Sequence, residues 1–343
     1  MKIIHCNLWG DLEISDLAIQ IIDTPHFQRL HYIRQTGLSY KVFPGAHTTR
    51  FEHSIGVYGV TRMLLDQLIK NQPELLTDCN ERTQELICIA GLIHDLGHGP
   101  FSHLFDTFLE IGGIDNEWIH HENRSLILFR HLVSTYQIPM TEEEVQFLEG
   151  LIKGNLDKKY WYRHLINNSE SGLDMDKMDY VLRDSMMFGM KIQFDARRIM
   201  KNCRVIENEL SFCDRIQDEI VTVFMIRNKM NRFIYRHPKI CQFENCLLHF
   251  LFSDTFDPIR EIIQDEDVDK FMTLNDTTIL FMIPSEDWSP IECREMVCPI
   301  QHDTSWQEFR EKEWYKIQRL WFYKKKEPNE RFRITHWKME SCF

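Results

Sequence analysis

The sequence predicts a mainly α-helical protein whose C-terminal end forms a small, mixed lobe. Apolar residues recur at helical spacing from Ile55 to Leu68 and from Leu86 to Leu96, as expected for buried helix faces. Thr141 is followed three residues later by Glu144, the capping-box pattern that begins an amphipathic helix through residue 153. The helical pattern weakens after about residue 255. We therefore expect a helical core over residues 1–255 and a lobe over residues 256–343.

The other elements are predicted from the same patterns. Residues 1–14 alternate enough for a strand or hairpin, and Asp16–Arg34 is predicted to be helical with a break at Thr24-Pro25, where threonine can cap and proline can begin a helix. A further helix is expected to run through His131, and others are expected over 173–184, 215–236 and 305–323, whereas 276–283 fits either a helix end or a strand.

The composition is that of a soluble globular protein, with 43% hydrophobic and 27% charged residues. No apolar run approaches the roughly 20 residues of a membrane span, and the N-terminus has no signal-peptide pattern. Ten cysteines without a C-x-x-C pair indicate a reduced intracellular compartment, nucleus or cytoplasm. The net charge of −12 argues against a broad basic surface for duplex nucleic acid.

The most informative stretch runs from Ile89 to His103. It places an adjacent His94-Asp95 pair at the end of an apolar helical run, where a buried carboxylate needs compensating charge. Glycines and a proline then break the helix, and Ser102 can cap the next one. A single His-Asp pair is often a satisfied core pair. Three histidines and two aspartates around a helix break instead indicate a metal site with a second polar group, formed by His94, Asp95, His98, His103 and Asp106.

Further ligands are found elsewhere in the chain. His53 lies at the edge of an apolar helix stripe; it fits a core histidine taken alone, and a third metal ligand beside His94-Asp95. Asp176, Tyr180 and Asp184 share one helical face, and Asp176 is the predicted fourth ligand, although a solvated face explains the two carboxylates equally well. Arg50 fits either a phosphate contact or a surface salt bridge.

Two more groups have both a binding and a packing interpretation. Arg227, Asn231 and Tyr235 fall at helical spacing and suit a ligand with phosphate at one end and sugar at the other, or a helix–helix interface. The aromatic and basic residues from Trp314 to Trp337 could bind single-stranded nucleic acid, but packing explains them as well.

The order His53, His94-Asp95, Asp176 is the H…HD…D pattern of the HD-domain phosphohydrolases. Five segments together resemble the vertebrate SAM- and HD-domain deoxynucleoside triphosphate triphosphohydrolases, most densely over residues 2–240. They are Ile21–Pro25, Val42–Ala46, Arg50–Ser54, Gly91–His103 and Asp174–Asp184.

The resemblance implies an HD-domain helical core that cleaves a dNTP to deoxynucleoside and inorganic triphosphate, with roles in dNTP catabolism and antiviral defence. It implies one divalent transition metal, iron, manganese or zinc, and magnesium with the triphosphate. The implied metal ligands are His53, His94, Asp95 and Asp176, and the implied catalytic residues are His98, His103, Asp106 and His121. The implied substrate-binding residues are Gln35, Arg50, Lys177, Tyr180, Asp184, Arg227 and Tyr235.

Three departures from that family affect what can be expected. The resemblance begins at residue 2, so we expect no SAM domain before it, and we expect a shorter C-terminal lobe. At the family's guanine-nucleotide activator site Lys2, Asp23 and Gln28 are kept, but His31 replaces an arginine. Because an imidazole lacks the fixed guanidinium fork, we expect GTP or dNTP to bind there less firmly. The implied assembly is a homo-oligomer, a dimer or a tetramer.

Two alternatives to this activity come from the residues themselves. The same metal site could act on another nucleotide. Alternatively, the fold could serve as a non-catalytic module that binds nucleic acid or a partner protein.

Overall fold

The computed structural model describes residues 1–191, 193–284, 288 and 316–334. A hairpin of β1 (Lys2–Cys6) and β2 (Gly10–Ile14) begins the chain. The helices of the described part follow: α1 (Asp16–Ile22), α2 (Pro25–Gln28), α3 (Arg50–Asn71), α4 (Glu81–Ile93), α5 (His103–Ile111), α6 (His121–Tyr136), α7 (Glu142–Lys153), α8 (Met175–Met187), α9 (Ala196–Lys201), α10 (Gln217–Met230), α11 (Pro238–Leu251), α12 (Asp257–Gln264), α13 (Val268–Phe271) and α14 (Asp276–Met282). The mainly α-helical class is confirmed.

The long helix α3 lies at the centre and packs against α4 and α8. Thr49 and Glu52 cap its N-terminus through a reciprocal capping box, which the sequence interpretation did not find. Small residues on α3 allow this close packing: a side chain at Gly56 would collide with the Asp179 and Arg183 side chains of α8. The centre of the fold is therefore where α3 meets α8.

A four-stranded sheet supplies the mixed part of the fold. Its order is β3 (Cys203–Ile206), β4 (Glu209–Cys213), β5 (Trp321–Lys324) and β6 (Glu327–Arg333). The β4–β5 pair is parallel and the others are antiparallel. The sheet joins strands from both sides of the expected boundary at residue 255, and that boundary stays a prediction.

The structure decides or corrects several expectations on individual elements. The segment 276–283 is a helix up to Met282, with Asn275 as its cap. Within 305–323, the described residues 321–323 belong to strand β5 and are not helical, whereas residues 305–315 lie outside the described residues. The nucleic-acid segment is described only over 316–334, so Trp314 and Trp337 lie outside it as well. Among the described helices, none is both long enough and apolar enough to cross a bilayer.

Candidate active site

Four side chains from three helix ends converge on one point. The Oδ1 atom of Asp176 lies 3.0 Å from Nε2 of His53 and 3.5 Å from Nε2 of His94. The two oxygens of Asp95 lie 3.4 Å from these same nitrogens, Oδ2 from His53 and Oδ1 from His94. Metal–ligand bonds of about 2.0–2.2 Å place neighbouring ligand atoms about 3–3.5 Å apart. The spacing therefore fits a divalent metal ion.

The tautomers of the two histidines also fit a metal. His53 Nδ1 lies 2.8 Å from Asp179 Oδ2, and His94 Nδ1 lies 2.9 Å from the carbonyl oxygen of Gly91. Each Nδ1–H donates to its acceptor, which leaves a lone pair on each Nε2. Both Nε2 atoms are buried and have no hydrogen-bond partner. Metal-binding histidines commonly show this arrangement, because the outer acceptor orients the ring.

Asp179 was not singled out from the sequence, yet it holds one of the four candidates, His53, in place. Its side chain is fully buried and accepts from Trp9 Nε1 at 2.6 Å and from Arg183 Nε and Nη2 at 2.7 Å. It therefore ties α8 to the N-terminal hairpin while holding His53. Its position three residues after Asp176 was a usable signal, since the two carboxylates share one side of a helix.

The charges around this group favour a cation between the side chains. Burial alone lowers the pKa of His53, but the negative charge of Asp176, Asp179 and Asp95 around the ring outweighs burial and raises that pKa to about 10, so the Nε2 position attracts a cation, whether a proton or a metal ion. Arg50, which is almost fully buried, donates to Asp95 Oδ2 at 2.5 Å. The surface salt bridge considered for Arg50 is therefore wrong: its ion pair is buried and involves a metal-ligand candidate.

A second group of similar side chains lies beside the first. One ring nitrogen or carboxylate oxygen from each of its four members lies within 4.8 Å of the others. The rings of His98 and His121 stack with centroids 3.9 Å apart. His121 Nδ1 lies 2.5 Å from Asp106 Oδ2, whereas His103 Nδ1 lies 3.9 Å from the same oxygen. The members are His98, His103, Asp106 and His121.

Arg124, which the sequence interpretation did not include, neutralises this second group. It is fully buried and donates to Asp106 Oδ1 and to the carbonyl oxygens of Gly97 and Trp118. Burial raises the pKa of Asp106, but its histidine neighbours and Arg124 outweigh this and hold the pKa well below its usual range. Burial, Arg50 and His121 lower the pKa of His98, which keeps its ring neutral.

Both groups open into one cavity of about 780 Å³. His94, Asp95 and Asp176 line it, as do the three histidines of the second group, while His53 and Asp106 lie behind its wall. The seven residues predicted to bind substrate also line it: Gln35, Arg50, Lys177, Tyr180, Asp184, Arg227 and Tyr235. Since buried carboxylates, imidazoles and cations share one nucleotide-sized space, they can act on a single phosphorylated ligand.

One wall of this cavity, called the far wall below, is formed by Tyr180, Asp184, Arg227 and Tyr235, and hydrogen bonds join these residues in pairs. Arg227 Nε donates to the Tyr180 hydroxyl at 2.6 Å, and the Tyr235 hydroxyl donates to Asp184 at 2.6 Å. The expected continuous α-helix over 215–236 is wrong, because α10 ends at Met230 and a π-helical turn covers Asn231–Tyr235. Burial raises the pKa of Asp184 to about 6. The solvated face considered for the α8 carboxylates does not apply to Asp184, which is 3% exposed.

The activator-site candidates lie outside the cavity. Lys2 forms an exposed ion pair with Asp23 at 3.1 Å, and Gln28 donates to the carbonyl oxygen of Ile22. The ring of His31 stacks on Phe51 with centroids 3.6 Å apart.

Ser102, expected to cap α5, does not do so: its hydroxyl accepts from Arg50 Nε instead.

Residues 50–183 match the sequence model of the HD domain family. The chain carries an HD domain. Its metal-ligand candidates, from His53 to Asp176, all fall within the matched residues, and so does the second group. A divalent metal ion is thus supported by the family and by the His/Asp geometry together.

The chain is also similar to curated relatives that carry a functional name. The human deoxynucleoside triphosphate triphosphohydrolase SAMHD1 is 34% identical, with 88% of this chain and 54% of the human protein covered. The Dictyostelium discoideum SAMHD1 homologue is 32% identical over 81% of this chain and 54% of its own length. An HD domain-containing protein of Acanthamoeba polyphaga mimivirus is 32% identical, over 82% and 64%. The resemblance stated from the sequence is confirmed, although the chain spans only about half the length of the two triphosphohydrolases.

Proposed function

We propose that this chain is a metal-dependent dNTP triphosphohydrolase that releases deoxynucleoside and inorganic triphosphate. The observation that carries the proposal is the pair of buried, unpaired Nε2 atoms of His53 and His94, which face Asp95 and Asp176 beside a cavity that is also lined by cations and by the histidines of the second group. The names of the relatives support this choice among HD-domain activities.

The proposed metal ligands are His53, His94, Asp95 and Asp176. A divalent ion held there supplies charge that polarises a phosphoryl oxygen and lowers the pKa of water. The donor set of two imidazoles and two carboxylates suits iron, manganese or zinc, and magnesium would accompany the triphosphate. Because two ring nitrogens and carboxylate oxygens already surround one point, we propose a single transition-metal ion per chain.

The cations of the cavity position the triphosphate. Arg50 sits beside the metal-ligand candidates and lines the cavity, so with His98 it is placed to meet the α-phosphate. Lys177 and Arg227 line the same space and would bind the outer phosphates. Phosphoryl transfer depends mainly on such positioning and charge neutralisation.

The second group is proposed to supply the proton that the leaving 5′-oxygen takes up. His103 is exposed to the cavity and is the proposed general acid toward the leaving 5′-oxygen. Asp106 stays ionised, hydrogen-bonds His121 and lies on the same side of α5 as His103, so it can orient both rings. Arg124 balances the charge of Asp106 from behind, which leaves no need for a second cation.

The far wall of the cavity is proposed to bind the sugar and to select deoxyribose. Tyr180, Asp184 and Gln35 offer hydrogen-bonding groups to a deoxyribose, and the Tyr235 ring, tied to Asp184 by its hydroxyl, would pack against the 2′ position. A 2′-hydroxyl would then clash with the Tyr235 ring, so ribonucleotides would be poorer substrates.

A product assay tests the proposal. The protein is incubated with separate dNTPs, NTPs and cyclic nucleotides, and products are identified by chromatography. We expect deoxynucleoside and triphosphate in equal amounts from dNTPs. Orthophosphate or pyrophosphate would point to another nucleotide phosphohydrolase, and no turnover of any nucleotide would favour a binding module. Metal analysis of the same sample should give close to one ion per chain.

Activation by a nucleotide is proposed to be weak. The His31 ring lies on Phe51, and burial lowers the pKa of His31, so this position offers a neutral imidazole where a phosphate would need a cation. Size-exclusion chromatography with and without GTP or dNTP should show the same homo-oligomer. A nucleotide-dependent step from dimer to tetramer would contradict this.

A further inference from the structure

A buried carboxylate in the C-terminal part of the chain contacts the loops of the active site. Asp276 begins α14 and is 1% exposed. Its Oδ1 accepts from the backbone N–H of Phe101 at 2.7 Å, and its Oδ2 accepts from the backbone N–H of Arg34 at 3.0 Å. The cap of α14 is Asn275, which accepts from Thr277 and Thr278. The Asp276 side chain is therefore not needed as the cap of α14, and its two oxygens accept hydrogen bonds from the two loops instead.

The loop held by Asp276 has an unusual backbone. Phe101 and Ser102 both have a φ of 59°, in the left-handed region that non-glycine residues rarely adopt. Neither has a glycine's freedom, so the conformation must be held by its surroundings. The Phe101 N–H bonds to Asp276, and the Ser102 hydroxyl donates to the carbonyl oxygen of Arg34 at 2.7 Å. Both segments that Asp276 joins are thus also joined to each other.

These two segments hold Arg50 in place. Arg50 Nε donates to Ser102 Oγ at 2.8 Å, and Nη2 donates to the carbonyl oxygen of Gln35 at 3.3 Å. The remaining Nη1 donates to Asp95, a metal-ligand candidate. His103, the proposed general acid, follows Ser102 directly. A shift of either segment would therefore move Arg50 and His103 relative to the metal-ligand candidates.

A neighbouring arginine ties the same regions from another side. Arg29 is buried and donates through Nη1 to the carbonyl oxygen of Leu274 and through Nη2 to those of Leu96 and His98, all at 2.8–3.0 Å. Arg29 thus links Leu274, two residues before Asp276, to the part of the loop that carries His98. This makes α14 part of the support of the active site.

We propose that Asp276 is a positioning residue of the active site: it cross-links the Arg34–Gln35 segment to the Phe101–Ser102 turn and thereby sets the places of Arg50 and His103. For its catalytic consequences the proposal rests on the triphosphohydrolase function, but the cross-link itself does not. Asp276 touches no substrate, so its effect must pass through the two loops.

The test compares Asp276→Asn with Asn275→Ala. The first keeps the shape of the side chain but replaces one acceptor oxygen by an N–H donor, which then faces a backbone N–H. The second removes the cap of α14 and leaves both loop contacts. For Asp276→Asn we expect faster amide exchange at Arg34 and Phe101, a fall in kcat of about 10- to 100-fold from misplaced groups, a smaller change in KM and unchanged bound metal. Asn275→Ala should keep kcat near that of the unchanged protein.

Three results would overturn the proposal. Unchanged exchange at both amides in Asp276→Asn would show that the carboxylate does not hold the loops. An equal fall in kcat with Asn275→Ala would show a general effect of α14. If Asp276→Asn does not fold, exchange in the unchanged protein decides: Arg34 and Phe101 amides that exchange as slowly as core helix amides would support the proposal, and faster exchange at both would overturn it. Wild-type inactivity would reject the triphosphohydrolase function and leave the exchange test valid.

Discussion

The two histidine–aspartate groups of the cavity contain the same residue types and differ in how their charge is balanced. In the first, His53 and His94 direct unpaired Nε2 atoms at Asp95 and Asp176. In the second, the carboxylate of Asp106 is already bonded to His121 and paired with the buried Arg124.

Under the proposed function, the difference indicates what would separate a metal site from a proton-transfer site. Carboxylates that face unpaired imidazole nitrogens call for a cation, and in the first group Arg50 pairs with only one of the two, Asp95. The single carboxylate of the second group has Arg124 to itself, so it can orient an imidazole and remain ionised. We therefore propose that the outer partners decide the role: Asp179 and the Gly91 carbonyl for the first group, Arg124 for the second.

The largest effect is expected from removing the first group. The double change His94→Ala/Asp95→Ala should abolish metal binding and lower turnover by about 10³-fold or more, because a metal supplies several kcal/mol of transition-state stabilisation. Metal content and triphosphate release measure both. The control is His5→Ala/Asp11→Ala, which removes an exposed His–Asp pair on the hairpin and should change neither. Retained turnover in the first variant would refute the metal assignment.

Removing the carboxylate of the second group should leave the metal in place. Asp106→Asn loses the charge that orients the histidines and leaves Arg124 unpaired, so we expect kcat to fall about 10²-fold with one ion still bound. Glu110→Gln, on the same helix as Asp106 and exposed, is the matched control. If Asp106→Asn also loses a metal ion, the second group is itself a metal site and the contrast between the groups fails.

A smaller and selective effect is expected at the sugar wall. Tyr235→Ala should reduce the preference for dNTP over NTP by about tenfold, roughly the discrimination available from one steric contact in a pocket, and should lower dNTP turnover less. Tyr235→Phe keeps the ring but loses the bond to Asp184, so it should retain most of the preference. Equal losses for both nucleotide classes in Tyr235→Ala would make Tyr235 a packing residue.

The smallest effect is expected on the free energy of unfolding at acid pH. Burial raises the pKa of Asp179, but Arg183 and His53 outweigh this and lower it to about 2. A depressed carboxyl pKa stabilises the fold above the unfolded value and loses that contribution as pH falls from about 4 towards 2, here roughly 2 kcal/mol. Denaturant unfolding of the metal-free protein and of Asp179→Asn should therefore differ more at pH 5.5 than at pH 2.5. An equal difference at both values would contradict the assignment.

The sequence by itself determined the helical class and the residues that approach the cavity. Helix faces repeat every few residues, so the stripe of α3 and the apolar run before His94 could be recognised locally. The glycines and proline after Asp95 marked the helix break in the same way. His53 and Asp176 could be added because a metal needs several ligands, and the family pattern placed them in order.

Only the tertiary structure decided which groups neutralise and hold those residues. Arg124, Asp179 and Asp276 act on partners 18, 126 and up to 242 residues away, and no local pattern marks such a contact. The turn at Asn231–Tyr235 likewise departs from helical spacing where Tyr235 reaches Asp184. Periodicity reports which side of an element is buried, whereas the charge balance of a buried group depends on what the fold brings against it.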